Sequence, residues 1–380
     1  MGIIGMIIGV ILILSVYGGM NFYVGKRLFQ YIYFFFPKVN GVVFTVCYIL
    51  LVSTMFISIM PLPIVIKNIT RLISAYWFGI FIYLLIFFLL SDLIILLGSA
   101  VKLIPAQMLQ NVRFYARTVA ILLTAGLILY GSYNGNQIKF VSYDIQLNKN
   151  LSGEMNVVFI ADLHLGDISS ENRLENIVNG INSLNPDIVC IVGDIFNDDF
   201  YTIRNPDKAL ALLKSINAKY GVYACLGNHD GGRTLPEMMD FLEQSNIKLL
   251  NDEYIIIDER LVLIGRLDAS PIGGFGDMSR KDFTEIMNQI DVDLPILVLE
   301  HNPAHIGEYG NDVDLIIAGH THRGQLFPGS LITRAIFTVD YGHYQKDSES
   351  PHVIVTQGVN TWLMPMRVGT NNEIVSIRLR

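Results

Sequence analysis

Acidic residues are almost missing from the first third of this chain. Residues 1–133 carry eight Lys/Arg and one acid, Asp92. Over the whole chain only 16% of residues are charged, against about 25% in soluble domains, so a fully water-exposed first third is excluded. The remaining 19 of 27 Lys/Arg and 33 of 34 Asp/Glu fall in residues 134–380, a net charge of about −14. That half has no basic excess with which to displace counterions from a phosphate backbone, so non-specific nucleic-acid binding is excluded. Cysteine is also scarce. Cys47, Cys190 and Cys225 show no CxxC spacing, which rules out a cysteine-rich zinc site; Cys190 and Cys225 lie in strand-like runs and read as small buried residues. No internal repeat or low-complexity linker is present.

Apolar length is what the first third has in abundance. Residues 3–24 are uncharged and long enough to cross a hydrocarbon core of about 30 Å. They lack the basic start and short core of a cleaved signal, so a retained span is expected. Further spans are expected at about 41–66, 72–90 and 114–131, with an amphipathic connector over 93–112. The aromatic run Tyr31–Phe36 and the pair Tyr76 and Trp77 suit the headgroup layer. Asp92, near the end of the third span, is either a functional intramembrane acid or a residue that reaches water. The loops after spans one and three carry three basic residues each, the loop between spans two and three only two. The positive-inside rule then places both termini, and the C-terminal domain, outside the cytoplasm.

From Lys139 onward short apolar runs alternate with segments of helical period. Strands are expected at 155–161, 187–192, 222–226, 295–299 and 315–318, with later ones near 253–257, 261–264, 352–355 and 373–378. Helices are expected at 173–184, 207–216 and 236–243. The fold class is therefore a multi-span α-helical region (1–133) followed by a layered α/β domain (139–380) of two mixed sheets flanked by helices.

Strand ends in the second half repeatedly carry metal-binding side chains. VFIADLHL ends in Asp162 and His164, which share a side of the chain because strand side chains alternate. An Asp-x-His turn is common and alone proves little. Four further clusters follow, each at or near the end of an apolar run: Gly193-Asp194, Gly227-Asn228-His229-Asp230, His301 in EHNP, and His320-Thr321-His322. Asp, His and Asn donors suit Mn, Fe, Zn or Co and point to a catalytic rather than a structural site.

These five blocks, in this order, resemble the calcineurin-like metallophosphoesterases, whose signature reads D-x-H, G-D-x-x-D, G-N-H-[DE], a lone His, and G-H-x-H. Here they read DLH, GDIFN, GNHD, His301 and GHTH. The resemblance spans residues 139–380 and, through GVYACLGNHD, GHTHRGQ and QGVNTWLMPMRVG, extends to the membrane-anchored bacterial branch. It implies two divalent metal ions, one held by Asp162, His164, Asp194 and His322, the other by Asn228, His301 and His320, with Asp194 bridging. Two such ions can clamp the attacking and leaving oxygens of an in-line displacement at phosphorus. With two carboxylate ligands the site keeps a charge of about +2, which attracts a phosphate anion.

His229 has no place among the ligands. The resemblance implies that it donates a proton to the leaving group or stabilises the transition state, with Asp230 expected to orient it. Asn197 stands where the family often has Asp, and Asp198 follows it; this bears on the geometry around the ligands and on substrate choice. Arg323 and Arg367 are candidate phosphate contacts, although Arg367 serves equally well as a brace for the C-terminal strands. His305, His343 and His352 fit no ligand position. The expected function is a membrane-anchored two-metal phosphohydrolase that uses water against a phosphoester or pyrophosphate bond, with a lipid-linked or envelope substrate. A transporter or sensor with a regulatory phosphoesterase domain is the alternative.

Overall fold

A computed structural model describes residues 3–58, 60, 62–166, 171–290 and 293–380. The chain divides into two compact units, Met1–Gly131 and Ser132–Arg380.

The first unit contains α1 (Ile3–Phe35), α2 (Gly41–Ile57), α3 (Ile64–Ala100) and most of α4 (Leu109–Asn134). Among the described residues, three helical segments are long and apolar enough to cross a membrane: Ile8–Phe35, Val65–Ala100 and Ala106–Asn134. At 17 residues, α2 is about 26 Å long, a little short of the core thickness. Three of the four helices overrun the spans read from hydropathy, and the second falls short of its span. The first continues through Lys26, Arg27 and the aromatic run. The second stops at Ile57, and the third starts earlier and absorbs residues 93–100 of the expected connector. Hydropathy marks only the apolar middle, whereas the backbone hydrogen-bond ladder continues through interfacial residues. Asn40 caps α2, its Oδ1 accepting from the amides of Val42 and Val43 at 2.9 and 3.2 Å. Asp92 is matched by α1: Tyr23 Oη donates to it at 2.6 Å, Arg27 Nε at 2.8 Å, and Arg27 Nη2 lies 2.6 Å away. An acid among apolar helices is thus neutralised by a partner within the same unit.

The second unit begins with β1 (Ile138–Ile145) and β2 (Met155–Ile160), followed by α5 (Glu171–Ser183), β3 (Ile188–Val192), α6 (Pro206–Lys214), β4 (Val222–Cys225), α7 (Leu235–Gln244) and β5 (Ile247–Leu249). Then come β6 (Glu253–Ile257), β7 (Leu261–Gly265), α8 (Phe283–Met287), β8 (Ile296–Leu299), β9 (Leu315–Ala318), α9 (Gly329–Ile336), β10 (Gly342–Tyr344), β11 (His352–Val355) and β12 (Asn372–Leu379). Two six-stranded sheets result, ordered β1-β12-β2-β3-β4-β5 and β10-β11-β9-β8-β7-β6. Both are mixed: β2 through β5 pair in parallel while β12 runs antiparallel to β2, and β7, β8, β9 and β11 are parallel between antiparallel β6 and β10.

Strand alternation builds the layers. Met155, Val157 and Phe159 of β2 enter the core between the sheets with Ile188, Cys190, Leu263, Leu297, Ile317 and Ile354. The intervening Val158 and Ile160 pack on α5 and α7 through Leu174, Ile177, Met238 and Phe241. Val262, Ile264, Val298 and Ile316 cover the far face of the second sheet. Cys190 and Cys225 are buried free thiols, as expected.

Two buried polar clusters tie loops to this frame. Glu300 is fully buried and accepts from Arg280 Nη2 at 2.6 Å and from the Tyr309 hydroxyl. At the start of the unit, Asn134 Nδ2 donates to the carbonyls of Arg367 (3.2 Å) and Thr370 (2.7 Å). Gly135 O accepts from Arg173 Nη1 at 2.5 Å and from Asn372 Nδ2 at 2.8 Å. Removing one partner of a buried ion pair strands the other charge at a cost of about 3–5 kcal/mol. Arg280→Met should therefore lower the thermal midpoint of the detergent-solubilised chain clearly, and adding Glu300→Gln should restore part of the loss. An unchanged midpoint in the single variant would show that Arg280 does not hold Glu300.

Candidate metal centre

The C-terminal ends of β2, β3, β4, β8 and β9 deliver all five sequence blocks to one place. Strand-end loops must bend sharply here, and Asp162, His164, Asp194, His320 and His322 adopt left-handed φ values of 58°, 44°, 49°, 71° and 45°. Such conformations are uncommon for residues other than glycine and concentrate where function requires them. Two glycines permit the close approach of the loops. A Cβ on Gly227 would lie 2.3 Å from the Asp194 amide nitrogen, and one on Gly319 would lie 2.4 Å from the Ala161 Cβ.

Two groups of donor atoms form. Asp162, His164 and His322 make one, and Asp194, His301 and His320 the other; within each the ligand atoms lie within 4.8 Å of one another. Asn228 joins the second, its Oδ1 2.8 Å from His320 Nδ1. In the first, His164 Nε2 and His322 Nε2 are 3.1 Å apart, and His322 Nε2 is 3.4 Å from Asp162 Oδ1. Asp194 stands between the groups: its Oδ2 is 3.8 Å from His164 Nε2 and 3.2 Å from His301 Nε2. Its Oδ1 accepts from the His229 amide at 2.9 Å.

The donor chemistry fits metal ions. His301 Nδ1 donates to Val192 O at 2.9 Å, which leaves a lone pair on Nε2 in the neutral ring. That nitrogen is buried and has no hydrogen-bond partner among the described residues, yet it faces a carboxylate oxygen. Two such acceptors need a cation or a proton between them. Burial alone would keep His301 neutral, but Asp194 and Asp162 outweigh it and raise its pKa well above the ordinary value. A divalent ion held by both atoms would meet the same demand. Burial lowers His164 to about 3 and His320 to about 4, and holds His322 well below its ordinary value, so these rings offer lone pairs at neutral pH. Burial raises the Asp162 carboxyl to about 7, with Asp194 adding and His301 opposing. Burial would raise Asp194 too, but His301, His164 and His229 overcome it and hold that carboxylate well below its usual range.

His229 is oriented by a different residue from the one expected. Its Nδ1 lies 2.7 Å from Asp198 Oδ1, and the Asp198 amide donates back to His229 O at 3.2 Å. Asp230 is turned away. Fully buried, it accepts from the amides of Phe196 and Gly227, both at 2.8 Å, and so pins the two loops that carry Asp194 and Asn228. Adjacency in sequence misled because a turn sends neighbouring side chains in opposite directions. Burial alone would keep His229 uncharged, but Asp198, with Asp194 and Asp230, raises its pKa.

Arg367 takes the bracing alternative. It is fully buried, and Nε donates to Asn372 Oδ1 (2.6 Å), Nη1 to His322 O (3.2 Å), and Nη2 to Gln357 O (2.6 Å) and Asn360 O (2.5 Å). The same Nη2 lies within hydrogen-bond distance of His322 Nδ1, at 3.1 Å. Arg323 is partly exposed, with its guanidinium carbon 4.5 Å from the Tyr341 ring centroid. His305 pairs with Glu308 at 2.9 Å, and His343 with His352 at 2.9 Å; none of the three enters either donor group. Two residues were not singled out from sequence. Asp268, just beyond β7, is buried with Oδ2 lacking a hydrogen-bond partner among the described residues, and it acts electrostatically on His301 and His320. Trp362 places its ring 5.5 Å from that of His229.

Comparison with known proteins agrees with this geometry. Residues 155–324 match the family described as calcineurin-like phosphoesterase. A metallophosphoesterase of Campylobacter jejuni is 28% identical over 97% of both chains. One of Aquifex aeolicus is 30% identical over 67% of this chain and 97% of its own. A zebrafish (Danio rerio) transmembrane protein with a metallophosphoesterase domain is 28% identical over 81% of this chain and 73% of its own. Among solved structures, the NAD nucleotidase of Haemophilus influenzae overlaps 54% of this chain and 45% of its own, with a TM-score of 0.37 and 17% identity. With the ordered motif blocks, the two mixed sheets and the paired donor groups, the family match and the sequence relatives establish that the chain belongs to the calcineurin-like phosphoesterases, metal-dependent hydrolases of phosphoesters.

Proposed function

We propose that the chain is a membrane-anchored, two-metal phosphohydrolase, with residues 1–133 as the membrane region and 139–380 as the hydrolase. Asp162, His164, Asp194 and His322 hold one divalent ion, and Asn228, His301 and His320, with Asp194 shared, hold the other. The observation that carries this reading is Asp194 Oδ2, set between a ring nitrogen of one donor group and a ring nitrogen of the other. When bound, Mn, Fe, Zn or Co at both positions would supply positive charge to a phosphoryl group and make water acidic enough to attack it.

The chain's own residues do the rest. His229, held at Nδ1 by Asp198, keeps Nε2 for the leaving group and supplies its proton. Burial of the donor groups limits competition from bulk water and strengthens each charge interaction. The apolar helices favour a substrate at the membrane surface, a lipid-linked phosphate or pyrophosphate or an envelope phosphodiester, and the basic loops favour an extracytoplasmic hydrolase. The transporter or sensor alternative gains little support, since the acid of the apolar helices, Asp92, is committed to Arg27 and Tyr23.

The purified full chain should hydrolyse a nitrophenyl phosphate ester, lose this activity to a chelator and regain it with one of the four metals. Asp194→Ala should remove both activity and bound metal; undiminished hydrolysis in that variant would overturn the site. His229→Ala should lower kcat by about 10²–10⁴-fold. Asp198→Asn and Asp230→Asn should separate orientation from scaffolding. The first should cut kcat by about 10–100-fold with little change in melting. The second should chiefly destabilise the fold, by about 1–3 kcal/mol. The reverse pattern would return the orienting role to Asp230.

A further inference from the structure

The surface beside the metal centre has the wrong polarity for water. Among the described residues of the second unit, eleven large apolar or aromatic side chains are exposed, and six of them lie between residues 327 and 362: Phe327 (51%), Leu331 (56%), Ile332 (61%), Ile336 (69%), Tyr344 (37%) and Trp362 (41%). Three belong to α9, all of whose residues are at least partly exposed. Surface helices normally turn their apolar stripe toward the core. Here Leu331, Ile332, Ala335 and Ile336, one stripe at helical spacing, all face outward, while Thr333, across the helix, is fastened inward to Asp340 Oδ2 at 2.9 Å. Clusters of this kind mark an interaction surface.

The patch is built onto the site. A Cβ on Gly324 would lie 2.2 Å from the Gly329 carbonyl carbon, so the start of α9 is pressed against the segment that carries His320 and His322. Its end returns to the centre, with the Phe337 ring 6.1 Å from that of His320. On the other side, Gln325 holds the Trp362 backbone, accepting from its amide and donating to its carbonyl, both at 2.8 Å. The Trp362 ring lies beside His229.

We propose that α9, Phe327 and Trp362 form a surface that rests in the lipid interface and opens the metal centre toward a phosphate carried on a membrane amphiphile. Two observations select lipid over another protein. The same chain contains three helices able to cross a bilayer. Asn134, which ends the run of apolar helices in the chain, donates to the Arg367 and Thr370 carbonyls, in the loop that also carries Trp362. Short apolar stripes with an interfacial Trp are suited to the headgroup boundary. The consequence for substrate rests on the phosphohydrolase reading; the lipid contact itself does not.

The chain has two tryptophans, Trp77 and Trp362, so W77F makes Trp362 the sole reporter. The full-length W77F protein would be placed in nanodiscs of mixed phosphatidylcholine and phosphatidylglycerol, with or without bromine on the acyl chains. Trp362 emission should be quenched by the brominated lipid. L331S/I332S/I336S in the same background should lose that quenching while retaining hydrolysis of the soluble nitrophenyl ester, which reports an intact fold and centre. Absence of quenching in W77F would overturn the proposal, as would quenching that the triple substitution leaves unchanged. Quenching without any hydrolase activity would support the lipid surface and count against the phosphohydrolase reading instead.

Discussion

A carboxylate that is almost wholly buried is the constraint around which the second unit is arranged. Asp194 faces the imidazoles of His164 and His301 and the amide of His229, and an ionised side chain in such a place persists only where charge or hydrogen bonds meet each oxygen. Meeting that demand requires loops from several strands to converge. Convergence in turn requires backbone conformations that side chains ordinarily avoid and glycines where two chains nearly touch. The twin sheets with a shared apolar core are what make those loops stiff enough to hold the arrangement.

Beyond the ligands lies a layer of bonds that fixes ligand orientation. Val192 O sets the His301 tautomer, the His320 amide binds the Asp162 carboxylate at 3.0 Å, and Arg367 bonds the carbonyl of His322. Asp230 binds amides on two different loops. Each of these groups is charged or strongly polar and sits where solvent cannot substitute for it. Errors of alignment there would be costly, which favours a single geometry.

Much of this was legible in the sequence because the signals were local. Apolar runs of strand length ended in Asp, Asn or His, and the order of the blocks carried the rest. The two-sheet architecture followed from the same runs, as did the buried state of Cys190 and Cys225. What escaped depended on three-dimensional neighbours. Asp198 reaches His229 across a loop junction, which spacing cannot reveal. The three-residue strands β5 and β10 are too short to show alternation. Helix α9 reads ambiguously because its apolar residues face outward, so burial offers no periodic clue. The apolar helices of the first unit were located, but their ends were misplaced: in three of them the backbone ladder runs past the residues that hydropathy marks, and α2 stops short of them.

The bonds at Gly135 bear on where this polypeptide can be divided. Its carbonyl receives both Arg173, from α5, and Asn372, at the first position of β12, and Asn372 also accepts the Arg367 side chain. A fragment that starts at Lys139, where strand-like character first becomes visible in the sequence, would discard the Gly135 and Gln137 carbonyls, and with them both acceptors of the Asn372 side-chain amide. The hydrolase therefore has a sequence border and a physical border that differ by several residues, and the physical one lies inside the final turn of α4.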